Sequence, residues 1–233
     1  MTCPPKGRPK ERPTGVLFDA GGTLVQVHAD RLATAVRRRG ADPRDLPDAF
    51  WRTLVLLEDE FAPGAGDAAS WWSRWLDRLA EGCDVPAEVM AAAWEEADDE
   101  RHLWEDPLPG AVECLTRLRE AGIKIGVVSN ADGRIASALE SAGLATLLEV
   151  IVDSTVVGVQ KPDPAIFAYA LGPLGLQPHE AWYLGDTVAY DAAAADAAGL
   201  VSWVIDHPGL HVSDHPRMVR TLTEFADAVL GAP

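Results

Sequence analysis

Apolar and polar positions follow two different rhythms along this chain. Near its start Val16, Leu17 and Phe18 form a short apolar run that stops at Asp19 and the Gly21-Gly22 pair, the pattern of a buried strand entering a tight loop. The same pattern returns at 123–128, 150–152, 182–184 and 201–205, with helical stretches in most of the intervals. Strands alternating with helices over this length predict an α/β fold with a doubly wound parallel sheet, in which ligands bind beyond the carboxyl ends of the strands. Those ends carry Asp19, Ser129, Asp153 and Asp186.

Between Gln26 and Asp106 the strand pattern disappears and apolar residues recur at helical spacing. One stripe runs through Leu46, Ala49, Phe50, Thr53, Leu54, Leu57 and Phe61, a second through Ala68, Trp71, Trp72, Trp75, Leu76 and Leu79, and a third through Val89, Ala93, Trp94 and Ala97. The expected plan is therefore a core domain at 13–25 and 107–233, a helical domain inserted at 26–106, and a basic, proline-rich, disordered tail at 1–12. Trp51, Trp71, Trp72, Trp75, Trp94 and Trp104, six of the eight tryptophans, fall in the insert. They offer either an aromatic wall for a substrate or simply the core of that domain.

Composition narrows the choice of partners. A formal net charge of -16 argues against nucleic acid and anionic membranes, which are bound by clustered Lys and Arg. No apolar run reaches the ~20 residues of a membrane span, and the amino-terminal segment has no apolar stretch behind its charges to make a signal peptide. Cys3, Cys83 and Cys114 are odd in number, widely spaced and without a CxxC pair, which argues against a disulfide framework and a thiolate zinc site. A reduced, cytoplasmic protein is expected, a monomer or homodimer, with a small anionic substrate that needs local cations. Lysine is scarce: Lys6, Lys10, Lys124 and Lys161 are the only four, and two of them lie in the tail. Lys161, placed before Pro162, thereby becomes a candidate for more than surface charge.

Four segments then fall into a recognisable order: FDAGGTL at 18–24, VVSN at 127–130, KPDP at 161–164 and GDTVAYD at 185–191. Together they resemble the four ordered motifs of the haloacid dehalogenase superfamily, in the subfamily that carries a helical cap after the first motif. The resemblance implies a magnesium-dependent phosphomonoester hydrolase acting through an aspartyl-phosphate. Asp19 would be the nucleophile, since a carboxylate can attack phosphorus to give an acyl-phosphate that water cleaves. A hard cation with oxygen ligands, Mg²⁺, would relieve the repulsion between two anions, held by Asp19, the Gly21 carbonyl and Asp186, with Asp191 behind them orienting metal-bound water. Ser129 and the backbone amide of Asn130 would hold the phosphoryl oxygens while Lys161 neutralises charge growing in the transition state. Plainer roles remain open: Asp19 and Asp186 as helix caps or turn carboxylates, Ser129 as a turn residue.

The chain departs from the family's phosphatases at one position. They place a second aspartate, the general acid, two residues after the nucleophile, where this chain has Gly21. General acid catalysis contributes about 10²–10⁴-fold, so its loss weighs most on poor leaving groups. His28 and Asp30, at the entrance to the insert, are conceivable replacements or merely solvent-facing and capping residues. The same absence, with Trp51-Arg52 resembling the halide-binding arginine segment, keeps a metal-independent 2-haloacid dehalogenase as an alternative. A binding protein that retains the fold with weak catalysis is another. Schiff-base chemistry from the insert is closed, because no lysine occurs between Gln26 and Asp106.

Overall fold

Every residue of β1, Gly15–Phe18, is buried, because helices cover both faces of the sheet in which it is a central strand. The computed structural model describes residues 12–60, 68–206, 209 and 215–231, without the side chains of 55–60 and 68–71. After β1 come β2 (Val25–Val27), α1 (Ala29–Arg38), α2 (Leu46–Glu60), α3 (Ala68–Gly82), α4 (Ala87–Glu100) and β3 (Trp104–Pro107). Then follow α5 (Ala111–Glu120), β4 (Lys124–Ser129), α6 (Ile135–Ser141), β5 (Val150–Asp153), α7 (Ser154–Val157) and α8 (Ala168–Leu174). The chain continues through β6 (Ala181–Gly185), α9 (Ala193–Ala198), β7 (Val201–Ile205), β8 (Met218–Val219) and α10 (Leu222–Leu230). It divides into two compact units, one comprising residues up to Gln26 and from Pro107 onward, the other Val27–Asp106.

In the first unit six strands form one sheet in the order β5-β4-β1-β6-β7-β8, and all its pairings are parallel. The strand order reverses about β1, with β4 on one side and β6 on the other. That is the switch point where a crevice opens beyond the carboxyl ends of the strands. One face of the sheet buries Leu17, Val128, Val152, Phe167 and Tyr183 in a single cluster with Ala194 and Ala195 of α9. The other face is aromatic: Phe225 of α10 meets Phe18 and Trp203 edge-on, and Trp203 stacks on Trp182 at 5.5 Å. Arg12 belongs to this unit, since its guanidinium donates to the Ala121 carbonyl at 3.1 Å. The expected tail therefore stops short of Arg12, and residues 1–11 lie outside the described part.

The second unit packs α1–α4 around Leu32, Val36, Phe50, Trp75, Leu79, Met90 and Trp94. Trp75 is fully buried and Trp94 nearly so, while Trp51, Trp72 and Trp104 are partly exposed. Trp72 stacks on Trp75 at 5.0 Å and meets Trp94 edge-on. These tryptophans are thus first of all core, and the choice posed by the sequence resolves toward packing for Trp75 and Trp94. Trp71 and Phe61 fall outside the described side chains. Arg31 ties α1 to β3 and the segment before it, reaching Glu105 at 2.6 Å and the carbonyls of Arg101 and His102.

The strand-free reading of 26–106 fails at its margins, where β2 and β3 form a two-stranded sheet. Three and four residues long, with Glu105 and Asp106 inside the second, they lack the apolar run by which the longer strands announce themselves. β8, two residues long, was missed for the same reason. No helix among the described residues is long and apolar enough to cross a membrane.

Candidate active site

β1 delivers Asp19 to the switch point. Its backbone N–H continues the sheet ladder one step past the strand, donating to the Leu184 carbonyl of β6 at 2.8 Å. The chain then turns sharply, with the Val25 N–H on the Ala20 carbonyl at 2.9 Å and the Gly22 N–H on the Val25 carbonyl at 2.8 Å. Gly22 has φ +72°, a left-handed conformation that disfavours any side chain, and a Cβ there would sit 2.2 Å from Asp186 Oδ2. At Gly185 a Cβ would lie 2.3 Å from Asp191 Cγ. Two glycines thus make the room into which two carboxylates close around Asp19. One oxygen each from Asp19, Asp186 and Asp191 lies within 4.8 Å of the others.

Among these anions sits one buried cation. Lys161 is 3% exposed, and its Nζ donates to Asp19 Oδ1 at 2.6 Å, Asp191 Oδ1 at 2.7 Å and the Tyr183 hydroxyl at 2.8 Å. An ammonium has three protons, so all three are engaged. Asp191 is equally well supplied. Its Oδ1 also accepts from the Tyr183 hydroxyl at 2.7 Å, and its Oδ2 accepts from the Thr187 N–H at 3.1 Å and the Thr187 hydroxyl. Thr187 is the N-cap of the turn Val188–Ala192, so capping at this helix start falls to Thr187 and not to Asp186.

The electrostatics follow from this packing. Burial pushes the Asp19 carboxyl up to about 6, aided by the neighbouring Asp191 charge and opposed by Lys161 and by a hydrogen bond from Ser129. Burial acts on Asp191 in the same sense, yet Lys161 with the Thr187 and Tyr183 hydrogen bonds holds it below the usual carboxylate range. For Lys161 burial works against the charge, and Asp19 and Asp191 more than compensate, so the ammonium stays protonated. Burial and the two nearby carboxylates drive the Tyr183 phenol well above its ordinary value, keeping it a donor. Burial and charge thus push two neighbouring carboxylates in opposite directions, Asp19 up and Asp191 down.

Ser129 is buried at the end of β4, beside Asp19. Asn130 is placed by its side chain as a two-point clamp on the next motif: its Nδ2 donates to the Lys161 carbonyl at 2.9 Å and its Oδ1 accepts from the Lys161 N–H at 2.8 Å. Gly21, with its neighbour Gly22, forms the turn beside the cluster. Asp153 has a different duty. It accepts from the backbone of Gly133 at 2.9 Å and caps α7 through the Thr155 N–H at 2.9 Å. It thereby anchors the loop after Ser129.

In the inserted unit, His28 Nδ1 lies 3.7 Å from Asp106 Oδ2, and Asp30 is exposed in the first turn of α1. Arg52 pairs on the surface with Asp48 at 2.6 Å. Two residues that the sequence reading did not single out belong to the cluster: Thr187 and Tyr183. A threonine one step past Asp186 carries little signal. Tyr183 carried more, since a tyrosine inside an otherwise apolar strand needs a buried partner for its hydroxyl.

A doubly wound parallel sheet that gathers three carboxylates and a lysine beyond its central strand ends defines the class, an α/β hydrolytic enzyme with a cation-competent acidic site. The family model for haloacid dehalogenase-like hydrolases matches residues 13–199. Glyceraldehyde 3-phosphate phosphatase of Methanopyrus kandleri is 31% identical over 195 residues, 80% of this chain and 81% of that protein. Haloacid dehalogenase-like hydrolase domain-containing protein 3 of Mus musculus is 36% identical over 200 residues, 81% of this chain and 80% of that one. A crystal structure of a HAD family hydrolase from Deinococcus radiodurans R1, with bound phosphate and sodium, superposes with a TM-score of 0.63 at 26% identity, covering 95% of this chain and 97% of that chain. The chain belongs to the haloacid dehalogenase-like hydrolase family.

Proposed function

We propose that this protein is a magnesium-dependent phosphatase of small phosphorylated metabolites, with Asp19 as nucleophile. The observation that carries the reading is the meeting of Asp19, Asp186 and Asp191 within 4.8 Å, with the buried ammonium of Lys161 bonded to Asp19 and Asp191. An all-oxygen donor set fits a hard cation. Asp19, the Gly21 carbonyl and Asp186 would hold it, and Asp191, already saturated by Lys161, Tyr183 and Thr187, would stand behind them. When bound, Mg²⁺ would offset phosphate charge and so permit an anionic nucleophile to approach an anionic ester.

The Asp19 carboxylate forms a bond to phosphorus as the phosphorus–oxygen bond to the leaving group breaks, and the leaving oxygen departs with its electron pair. Water then attacks the aspartyl-phosphate, which releases inorganic phosphate and returns the carboxylate. Ser129 and the Asn130 amide would hold the phosphoryl oxygens, and Lys161 would balance charge accumulating on them. With Gly21 in place of an acid, the leaving oxygen takes its proton from water. Esters that leave as stabilised anions are therefore the favoured substrates. The names of the relatives support the substrate class, one of them being a phosphatase of glyceraldehyde 3-phosphate. The pairing of Arg52 with Asp48 lends nothing to the haloacid alternative.

The test is release of inorganic phosphate from p-nitrophenyl phosphate and a metabolite panel, in magnesium and in EDTA, by wild type and Asp19→Asn. Turnover is expected with magnesium alone, and none from Asp19→Asn with its circular dichroism unchanged. Equal rates in EDTA and magnesium remove the metal from this reading, and near-wild-type rates in Asp19→Asn remove the nucleophile.

A further inference from the structure

Resting on the phosphatase reading, we propose that Tyr183 is a positioning residue of this site, whose hydroxyl holds Asp191 while Lys161 transfers a hydrogen bond from Asp191 to the substrate's phosphoryl group. The argument begins with a count. Lys161 has three N–H donors, and Asp19, Asp191 and Tyr183 occupy all of them. Lys161 can therefore donate to an incoming phosphoryl oxygen by releasing one of these three acceptors. Asp191 is where the network tolerates the change, because its Oδ1 takes two hydrogen bonds, one from Lys161 at 2.7 Å and one from Tyr183 at 2.7 Å. When Lys161 turns, Asp191 keeps the Tyr183 bond and both bonds from Thr187, so no buried carboxylate oxygen is orphaned.

The tyrosine itself is fixed. It is fully buried, with its hydroxyl 3.2 Å from the Val128 carbonyl of β4. Its ring meets Phe167 edge-on at 4.9 Å, and Phe167 closes the short helical turn Pro164–Phe167 that follows Lys161 in the chain. Tyr183 thus touches the lysine segment twice, through its hydroxyl and through its ring. A single oxygen serves as acceptor to the cation and donor to the anion that must part during turnover.

The experiment is Tyr183→Phe, which keeps the ring and its contact with Phe167, beside Tyr169→Phe as a control on an exposed tyrosine. Steady-state rates are measured with p-nitrophenyl phosphate, and Mg²⁺ binding by calorimetry without substrate. Tyr183→Phe is expected to lower kcat roughly 10- to 100-fold, as a misplacement of about 1 Å can, while KM moves less than about threefold. Magnesium affinity should weaken about tenfold, the scale seen when a group behind a metal ligand is removed. Tyr169→Phe should match wild type in both. A Tyr183→Phe protein with wild-type kcat, while wild type is active and Asp19→Asn is dead, overturns the role of Tyr183 and leaves the phosphatase reading standing. If wild type cleaves no phosphate ester, the phosphatase reading has failed and the transfer to a phosphoryl group falls with it; whether the Tyr183 hydroxyl positions Asp191 is then read from the calorimetry, where equal magnesium affinities in the two proteins overturn that as well. Lost affinity together with a lost fold by circular dichroism counts against positioning, since the hydroxyl is then structural.

Discussion

At the scale of single residues, Lys161 decides whether this site can exist without a metal. Its ammonium is the only cation within hydrogen-bonding distance of Asp19 and Asp191 among the described contacts. Removing one partner of a buried ion pair typically costs about 3–5 kcal/mol, because the other is left charged and dry. Lys161→Met should therefore lower the urea-unfolding free energy by about that amount in EDTA, and magnesium should restore part of it by substituting one cation for another. A loss below about 1 kcal/mol in EDTA, or no recovery with magnesium, contradicts this account of the site. Lys161 was legible in the sequence because lysine is so rare here. Tyr183 was legible only as a tyrosine in an apolar strand whose hydroxyl needs some buried partner; that the partners are Lys161 and Asp191 needed the fold.

At the scale of elements, the loops after the strands are held by residues that do no chemistry. Asp153 ends β5, yet its carboxylate fastens the Gly133 N–H and caps α7, and the Thr155 hydroxyl adds a bond to the Ala131 carbonyl at 2.7 Å. The loop carrying Asn130 is thereby pinned to the neighbouring strand, and Asn130 in turn grips the Lys161 peptide. Losing a helix cap costs about 0.5–2 kcal/mol. Asp153→Ala should then destabilise the protein by about 1–3 kcal/mol in urea titrations, counting the unpaired Gly133 amide. An unchanged midpoint would show that the loop is held without it. The sequence placed Asp153 at a strand end together with Asp19 and Asp186, and nothing in its spacing separated a latch from a ligand. Helix stripes were legible for α2, α3 and α4, whereas β2, β3 and β8 were too short to carry a period.

At the scale of the whole molecule, the acidic site couples stability to pH and, on the proposed reading, would couple it to a metal. The Asp19 carboxyl stands at about 6 in the fold against an ordinary 3.8, so the folded protein takes up this proton between those values. Its contribution favours folding at low pH and is lost as pH rises through about 6. Asp191, held below the ordinary range, contributes with the opposite sign and loses its share as pH falls through its lowered value. Above pH 6 Asp19 is ionised against its burial, with Lys161 as its partner, and on the proposed reading a divalent cation binding to the folded form alone would raise stability. Magnesium should therefore raise the melting temperature more at pH 8 than at pH 5, where it must compete with a proton for Asp19. Equal shifts at the two values would place the cation elsewhere. By itself the sequence determined the fold class and the four chemical segments in order, because hydrophobic period and turn residues act over a few neighbours and leave their mark locally. Only the tertiary structure decided which groups share one cavity: that Gly22 and Gly185 admit Asp186 and Asp191, that Tyr183 and Thr187 join them, and that Asp153 does not. Those distances are set by strand register and by packing between segments far apart in the chain, Lys161 standing 142 positions from Asp19, and no local pattern encodes them.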